Sequence, residues 1–296
     1  MSERYRMPVS LSAENNPHSF ALDMVGSSRT VLELGCSGGH VTELLVAAGN
    51  TVVGVESDPV WAAEASKFAE RVHVLDLDVD SVADVESGRF DVIVAGDVLE
   101  HLRDPLAALV KVLPLLKPGG DVIISVPNMA YVDVRLLMLE GRIEYQDEGL
   151  LDRTHLRWFT RDSLRDLIEH AGLAAVEVRR VVHPMGSSRL PVDWDAHSEV
   201  TRSFVLSDPE ATTYQFVVRC VRATEAGDRD TDLLTTEPHE WPVHHCETAE
   251  ALAVELDVLR AEISSLQAAV EAWERSRTAR VTLPLRKLLS RIRSDR

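Results

Sequence analysis

The chain has 296 residues, a formal net charge of −17 and 45% hydrophobic residues, which allows one large globular domain or two modest ones. The acidic balance excludes a general nucleic-acid-binding protein, and the absence of any apolar run of about 18 residues predicts no membrane span. Three scattered cysteines and a polar amino terminus predict a cytoplasmic protein with neither disulfides nor a secretory signal.

After an amino-terminal segment, residues 1–19, strand and helix patterns alternate, which predicts a doubly wound α/β domain with a mostly parallel, Rossmann-like sheet. The predicted strands cover residues 30–34, 51–55, 71–75, 90–95, 121–126, 174–182 and 213–221. The predicted helices cover residues 40–48, 59–69, 104–116, 132–139 and 161–171. The last two strands are separated by a long polar loop and are expected to pair, completing seven strands.

Beyond this domain, residues 20–222, the composition changes twice. Residues 223–247 are acidic and polar without periodicity, which predicts a disordered linker. Residues 248–274 carry apolar positions spaced 4-3-4-3-4-3, which predicts a coiled-coil helix and a homo-oligomer, with a helix docked on the main domain as the alternative. Residues 275–296 hold eight Lys/Arg and one acid, a charge of +7 against −24 for the rest of the chain.

A glycine-rich turn follows the first predicted strand. It contains Gly35, Cys36, Gly38 and Gly39, and it would place backbone N–H groups at the carboxyl edge of the sheet, as nucleotide-type cofactors require. The spacing differs from the dinucleotide pattern G-x-G-x-x-G. Glu33 beside the turn suits the ammonium and sulfonium of S-adenosyl-L-methionine (SAM) better than a pyrophosphate; alternatively, it pairs with a neighbouring base.

Acidic residues also end the next strands. Glu56, followed by Ser57, is placed to accept hydrogen bonds from both ribose hydroxyls, which fits NAD and SAM alike. Asp76 is placed to accept from an adenine amino group while Leu77 packs on the ring, although acids at strand ends are often merely solvated. Asp97 and Val98, after the fourth strand, are expected to line the same site.

Four segments, 31–39, 53–58, 90–102 and 116–120, together resemble the class I SAM-dependent methyltransferases. The resemblance covers roughly residues 20–222. It implies a seven-stranded sheet whose last strand is antiparallel, with SAM lying across the strand ends. The turn departs from the commonest Gly-x-Gly-x-Gly form at Ser37, and because serine is small we expect little effect.

Catalytic candidates lie in the insertion at residues 129–160, where this architecture builds a substrate lid. His155 is predicted as a base or substrate ligand that Asp152 orients, and His101 as an alternative base or a residue that organises its loop. The predicted substrate-binding residues are Tyr131, Arg135, Tyr145, Arg153 and Arg157. No compact cluster of histidines and carboxylates stands out, so metal catalysis is not expected.

The Leu-Asp-Arg-Thr-His block at 151–155 resembles a subgroup from bacterial surface-glycan and secondary-metabolite pathways. The basic tail resembles the carboxyl-terminal ends of bacterial glycosyltransferases and companion enzymes, and it predicts contact with such a complex or with an anionic membrane surface, unless it is simply solvated. We therefore predict O-methylation of a sugar or glycan; a natural product or quinone-like phenol is the alternative acceptor. An NAD-dependent oxidoreductase and a non-catalytic SAM-binding assembly protein are competing classes.

Overall fold

A computed structural model describes residues 15–85, 89–227, 229, 231 and 234. The chain divides into two compact units, residues 1–239 and 240–296, and the described residues belong to the first. The predicted coiled-coil helix at 248–274 and the basic tail at 275–296 lie outside the described residues. The oligomer and the membrane or glycosyltransferase contact that they suggested stay predictions.

Seven strands form one sheet in the order β3-β2-β1-β4-β5-β7-β6. Their bounds are β1 Thr30–Leu34, β2 Thr51–Glu56, β3 Arg71–Val74, β4 Phe90–Gly96, β5 Leu116–Pro127, β6 Leu173–Val182 and β7 Thr213–Arg222. The first five are parallel, while β7 pairs antiparallel with both β5 and β6. The predicted seven-stranded sheet and its antiparallel last strand are therefore confirmed.

Seven helices accompany these strands in the described part of the chain. They are α1 Pro17–Val25, α2 His40–Ala47, α3 Pro59–Ala65, α4 Pro105–Val112, α5 Val132–Leu139, α6 Arg161–His170 and α7 Glu199–Leu206. Side chains of Asp58, Asp104 and Thr160 cap α3, α4 and α6 by accepting backbone N–H groups of the first turn. Among the described residues, no helix is long and apolar enough to cross a membrane.

Helix α1 begins before the predicted domain boundary at residue 20. Asn16 caps it, and Pro17 occupies its first position. The side chain of Asn15 also exchanges hydrogen bonds with the backbone of Val182 at the end of β6, with N···O distances of 2.5 and 3.0 Å. Residues 15–19, which sequence analysis assigned to an amino-terminal segment, therefore begin α1 and contact the sheet.

The long polar loop predicted between β6 and β7 contains helix α7, which the sequence interpretation missed. Val205 of α7 is buried together with Leu136 and Leu137 of α5, in a separate apolar cluster beside the sheet. Phe204 and Val200 remain 70% and 79% exposed, so the apolar pattern of α7 does not separate cleanly into two faces. We call this cluster and the helices α5 and α7 the α5–α7 subdomain. It is built from two chain segments and not from the insertion at 129–160 alone.

The predicted linker at 223–247 begins with ordered contacts. Ala223–Glu225 form a 3-10 turn, Ala226 is buried, and Leu234 is 1% exposed within the main core. Apolar side chains thus anchor the first part of this segment, although its composition is acidic.

Helix α3 lies against the glycine turn that follows β1. Gly39 has φ +84°, and a Cβ there would lie 2.8 Å from the Cα of Ala65 in α3. Gly38 faces the ring of Trp61, where a Cβ would lie 3.1 Å from the nearest ring carbon. Both glycines allow α3 to approach the turn closely. The cofactor-binding role predicted for them stays a prediction.

Replacing Gly39 with Ala is expected to lower the free energy of unfolding by more than replacing Gly49. Both positions are left-handed, which costs alanine about 1–2 kcal/mol. Gly49 has φ +88° with no atom within 4 Å of a new Cβ, whereas Gly39 adds an overlap worth about 1–3 kcal/mol. Urea unfolding followed by circular dichroism measures both variants, and equal losses would contradict the close packing.

Candidate active site

A cavity of about 780 Å³ lies along the carboxyl ends of the parallel strands. Its lining includes most of the residues predicted to bind a cofactor: Glu33, Gly35, Cys36, Glu56, Ser57, Asp76, Leu77, Asp97 and Val98. His101, Asp152 and His155 line the same cavity. The structure therefore brings the predicted catalytic groups and most of the predicted cofactor-binding residues to one site; Gly38 and Gly39 are not among its lining residues.

The turn after β1 is fixed by backbone hydrogen bonds and by close packing. The amides of Gly35 and Cys36 both donate to the carbonyl of Val55, at 2.8 and 3.1 Å. A Cβ on Gly35 would lie 2.6 Å from Cγ2 of Val98. Ser37 has φ +45°, so glycine is favoured at this position for its conformation. Conformation as well as size therefore distinguishes Ser37 from the glycine of the commonest form.

The carboxylate of Glu56 is hydrogen-bonded to this turn. One carboxylate oxygen accepts from the Ser37 amide at 2.9 Å, and the other accepts from the Asp58 amide at 2.9 Å. The hydroxyl of Ser57 also contacts Glu56, at 3.3 Å. These bonds use backbone donors to aim a carboxylate at the cavity, and lone pairs remain for a ligand.

Glu33 is buried, at 4% exposure, and accepts a hydrogen bond of 2.6 Å from the Thr42 hydroxyl. Burial raises the pKa of Glu33 to about 7, and the Thr42 bond opposes that rise. No neighbouring base appears among its described hydrogen bonds or ion pairs, so the alternative pairing gains no support. Burial, and secondly the charges of Glu33 and Glu56, also raise the pKa of the Cys36 thiol, which keeps it protonated.

Asp76, Leu77 and Asp78 form the next wall. Asp76 accepts from the Asp78 amide at 2.9 Å, and Leu77 is buried at 6% exposure. Asp78 accepts from the amides of Arg103 (3.0 and 3.1 Å) and Asp104 (3.3 Å). Asp78 therefore anchors the segment that leads from β4 into α4, while Asp76 and Leu77 face the cavity.

Asp97 adopts φ +51° directly after β4. Its carboxylate accepts from the Ser125 hydroxyl at 2.8 Å and from the side-chain amide of Gln215. Gln215 stands near the start of β7, which runs antiparallel and so begins at the edge where the other strands end. Gln215 and its neighbour Tyr214 both line the cavity, and sequence analysis missed them although the strand direction was a usable signal.

Residues 156 and 157 are hydrogen-bonded, through one carbonyl, to the 3-10 turn Leu99–His101 that follows β4. The oxygen of Glu100 accepts from the amides of Leu156 and Arg157, at 2.7 and 3.0 Å. With these two hydrogen bonds in place, the ring centroid of His155 lies 4.9 Å from that of His101, in an edge-to-face arrangement. Two residues predicted as alternative bases are thus neighbours in one group.

Each of these imidazoles is oriented through Nδ1. His155 Nδ1 lies 3.1 Å from the carbonyl of Leu150. His101 Nδ1 lies 3.1 Å from Oγ1 of Thr154, whose hydroxyl donates to Asp152 at 2.6 Å. Asp152 therefore contacts His101 through Thr154, and its backbone carbonyl also accepts from the His155 amide at 3.0 Å. The predicted orientation of His155 by Asp152 stays a prediction. Burial, and secondly the charge of His101, lower the pKa of His155.

Glu100 completes this group and was not predicted as a site residue. It is 1% exposed, and one ligand atom each from Glu100, His101 and His155 lies within 4.8 Å of the others. The expectation that no compact group of histidines and carboxylates exists is therefore wrong. The segment that holds Glu100 and His101 and the segment that holds His155 are far apart in sequence, since 53 residues separate His101 from Thr154. Only the folded chain brings the two segments together.

The five predicted substrate-binding residues do not line the cavity. Tyr131 is fully buried and its hydroxyl donates to the carbonyl of Pro184; Arg135 pairs with Asp208 at 2.9 Å, and both stabilise the subdomain of α5 and α7. Tyr145 is 56% exposed, Arg153 pairs with Asp147 at 2.8 Å, and Arg157 donates to the carbonyl of Arg103. Four of these side chains make structural contacts and Tyr145 is exposed, so their role in substrate binding stays a prediction.

The raised pKa of Glu33 makes stability depend on pH. Between pH 4.5 and 7 the folded protein keeps a proton on Glu33 that the unfolded chain releases, so the free energy of unfolding falls as pH rises through this window. The isosteric variant Glu33→Gln should lose this contribution of about 2–3 kcal/mol. Urea unfolding of both proteins at pH 5 and 8 measures the difference, and identical pH dependence would contradict the buried carboxyl.

Comparison with known proteins agrees with this geometry. The methyltransferase domain family matches residues 11–178, more than half of the chain. A ubiquinone biosynthesis O-methyltransferase of Cereibacter sphaeroides is 32% identical over 174 residues, and one of Dinoroseobacter shibae is 33% identical over 162 residues. The matches cover 55% and 51% of this chain and 65% and 62% of those relatives, so the chain spans less than two thirds of their length.

A solved structure has the same fold. The SAM-dependent methyltransferase from Archaeoglobus fulgidus aligns with a TM-score of 0.50 and 17% identity, covering 69% of this chain and 94% of that one. Nine of the residues predicted to bind SAM line the cavity along the strand ends. The chain therefore belongs to the methyltransferase domain family.

Proposed function

We propose that this methyltransferase transfers the methyl group of SAM to a phenolic hydroxyl of a quinone-like small molecule. The observation that carries the proposal is the pair of imidazoles at one end of the cofactor cavity, held with Nδ1 engaged. Two relatives named as ubiquinone biosynthesis O-methyltransferases support this acceptor class over the sugar or glycan favoured by sequence alone.

The proposed place of the cofactor is supported by the acidic residues that line the cavity at the strand ends. Glu56 would offer its carboxylate to the ribose hydroxyls, Asp76 and Leu77 would flank the adenine, and Asp97 with Gly35 would face the methionine end. Glu33 lies deeper, where its carboxyl would respond to the ammonium of SAM. The cluster of acids suits a cofactor that carries both an ammonium and a sulfonium.

The acceptor then lies beyond the sulfonium, beside His101 and His155. Pro127, Leu156 and Tyr214 line this part of the cavity and offer apolar and aromatic surface to a flat ring. Methyl transfer is an in-line displacement, so the hydroxyl must face the methyl group and lose its proton. Because Nδ1 of each ring is engaged, Nε2 is the nitrogen left to take that proton.

A mass-spectrometric acceptor screen tests the proposal. The purified chain is incubated with SAM and, in parallel, with prenylated catechols and with sugar nucleotides. Methylated catechol with unchanged sugar nucleotides is the expected result. Methylation of the sugars alone would return the acceptor to the glycan class.

Replacing Glu56 with Ala should weaken binding of S-adenosylhomocysteine by about 1–3 kcal/mol, because charge-assisted hydrogen bonds to the ribose are lost. Calorimetric titration measures the affinity. The matched control is Glu43→Ala, since Glu43 is an exposed acid on the neighbouring helix α2. Equal affinity in the wild-type and Glu56→Ala proteins would remove Glu56 from the cofactor site.

Replacing His155 with Ala should lower turnover of the catechol by roughly 100-fold or more, while affinity for S-adenosylhomocysteine stays near that of the wild type. The exposed His170 on α6 provides the control variant His170→Ala. Single-turnover rates at saturating SAM give the comparison. Full turnover without His155 would show that the acceptor side has been wrongly assigned.

A further inference from the structure

We propose that Glu100, His101 and His155 bind one divalent transition-metal ion at the acceptor end of the cavity. One ligand atom of each residue lies within 4.8 Å of the other two. All three residues line the cavity, so an ion held there would face the acceptor. This inference deepens the proposed function, because an ion held there would act on the acceptor hydroxyl.

The two imidazoles are arranged as metal-binding histidines usually are. In such sites one ring nitrogen binds the ion and the other donates its hydrogen to a carbonyl or carboxylate-linked partner. His155 Nδ1 faces the Leu150 carbonyl, and His101 Nδ1 faces Thr154, whose hydroxyl proton is committed to Asp152. Both Nε2 lone pairs are therefore available.

Glu100 supplies the independent observation. Its side chain is 1% exposed, and Oε2 has no hydrogen-bond partner although it is buried. Unpartnered buried carboxylate oxygens are rare because they lose their solvation without compensation. A cation between Glu100 and the imidazoles would satisfy this oxygen.

The surrounding charge favours a dication. After burial itself, Asp97 and then Asp152 contribute to raising the pKa of Glu100, which reflects several carboxylates close together. Asp97 accepts from Ser125 and Gln215, and Asp152 accepts from Thr154, so these two are already engaged. Glu100 is the member of this acidic group that lacks such donors at Oε2.

The donor set indicates which ions fit. Two imidazole nitrogens and one carboxylate suit Zn²⁺, Mn²⁺, Fe²⁺ or Co²⁺, whereas Mg²⁺ and Ca²⁺ prefer oxygen ligands. Ligands about 2.0–2.2 Å from a shared ion lie about 3–3.6 Å apart. Small side-chain rotations would therefore draw the three groups together around the ion.

The role of the ion rests on the proposed function. Bound to the acceptor oxygen, the ion would lower the pKa of the hydroxyl so that its proton passes to solvent. The oxygen lone pair then forms the O–CH₃ bond as the S–CH₃ bond breaks and S-adenosylhomocysteine leaves. In that case His101 and His155 act as ligands, and no imidazole has to take the proton.

Metal binding can be measured without any acceptor. Untagged full-length protein is stripped with a chelator and titrated with Co²⁺ by visible absorption and with Zn²⁺ by calorimetry. We expect one ion per chain and affinity at least about 100-fold weaker in Glu100→Gln and in His155→Ala. Binding of S-adenosylhomocysteine confirms that each variant is folded, and Glu100→Gln preserves the side-chain shape.

Two controls separate this site from other ligands in the chain. His170→Ala should retain the full affinity, and so should the double variant His244→Ala, His245→Ala, which removes two adjacent histidines of the sequence. Equal binding in wild type and Glu100→Gln, loss of binding in the double variant, or tighter binding of Mg²⁺ than of Co²⁺ would each overturn the proposal.

Catechol methylation that continues in chelator with no bound metal would overturn it while leaving the proposed function intact. Metal binding without catechol methylation would overturn the proposed function and leave the metal site intact.

Discussion

Several carboxylates lie close together at the ends of adjacent parallel strands, and they repel one another because they are not each paired with a cation. The structure stabilises these carboxylates with hydrogen-bond donors instead. Glu56 takes two backbone amides, Asp78 takes the amides that lead into α4, and Asp97 takes a hydroxyl and a side-chain amide. Each bond also ties one loop to another. The same interactions that make the acidic groups tolerable therefore define the shape of the cavity, and the positions of both histidines depend on it.

The sheet was predictable from sequence because its strands are apolar runs bounded by glycine or acidic residues. The helix at Val132–Leu139 was predicted with both ends correct, and the pairing of β6 with β7 followed from two long alternating segments. The cofactor side of the cavity was predictable for the same reason: a residue at the carboxyl end of a parallel strand has only one edge to face. Packing roles were harder to predict, as with Gly38 and Gly39, which allow the close approach of α3.

The acceptor side could not be derived in the same way. Its contacts join segments far apart in the chain, as when Thr154 binds His101 and Gln215 binds Asp97. A lid sequence rich in arginine and aromatic residues looks functional throughout, yet Arg135 and Tyr131 hold the subdomain together. Residue type alone does not distinguish a side chain that stabilises a lid from one that faces its ligand, because both uses require the same polar groups.

The carbonyl of Glu100 has a mechanical consequence. Its two hydrogen bonds fasten residues 156 and 157 to the residue that precedes His101, so one imidazole follows any displacement of the other's segment. Asp97, three residues before Glu100, lines the same cavity as His101 and His155. These three side chains are therefore connected through one short stretch of backbone, and a shift of that stretch would move all of them together.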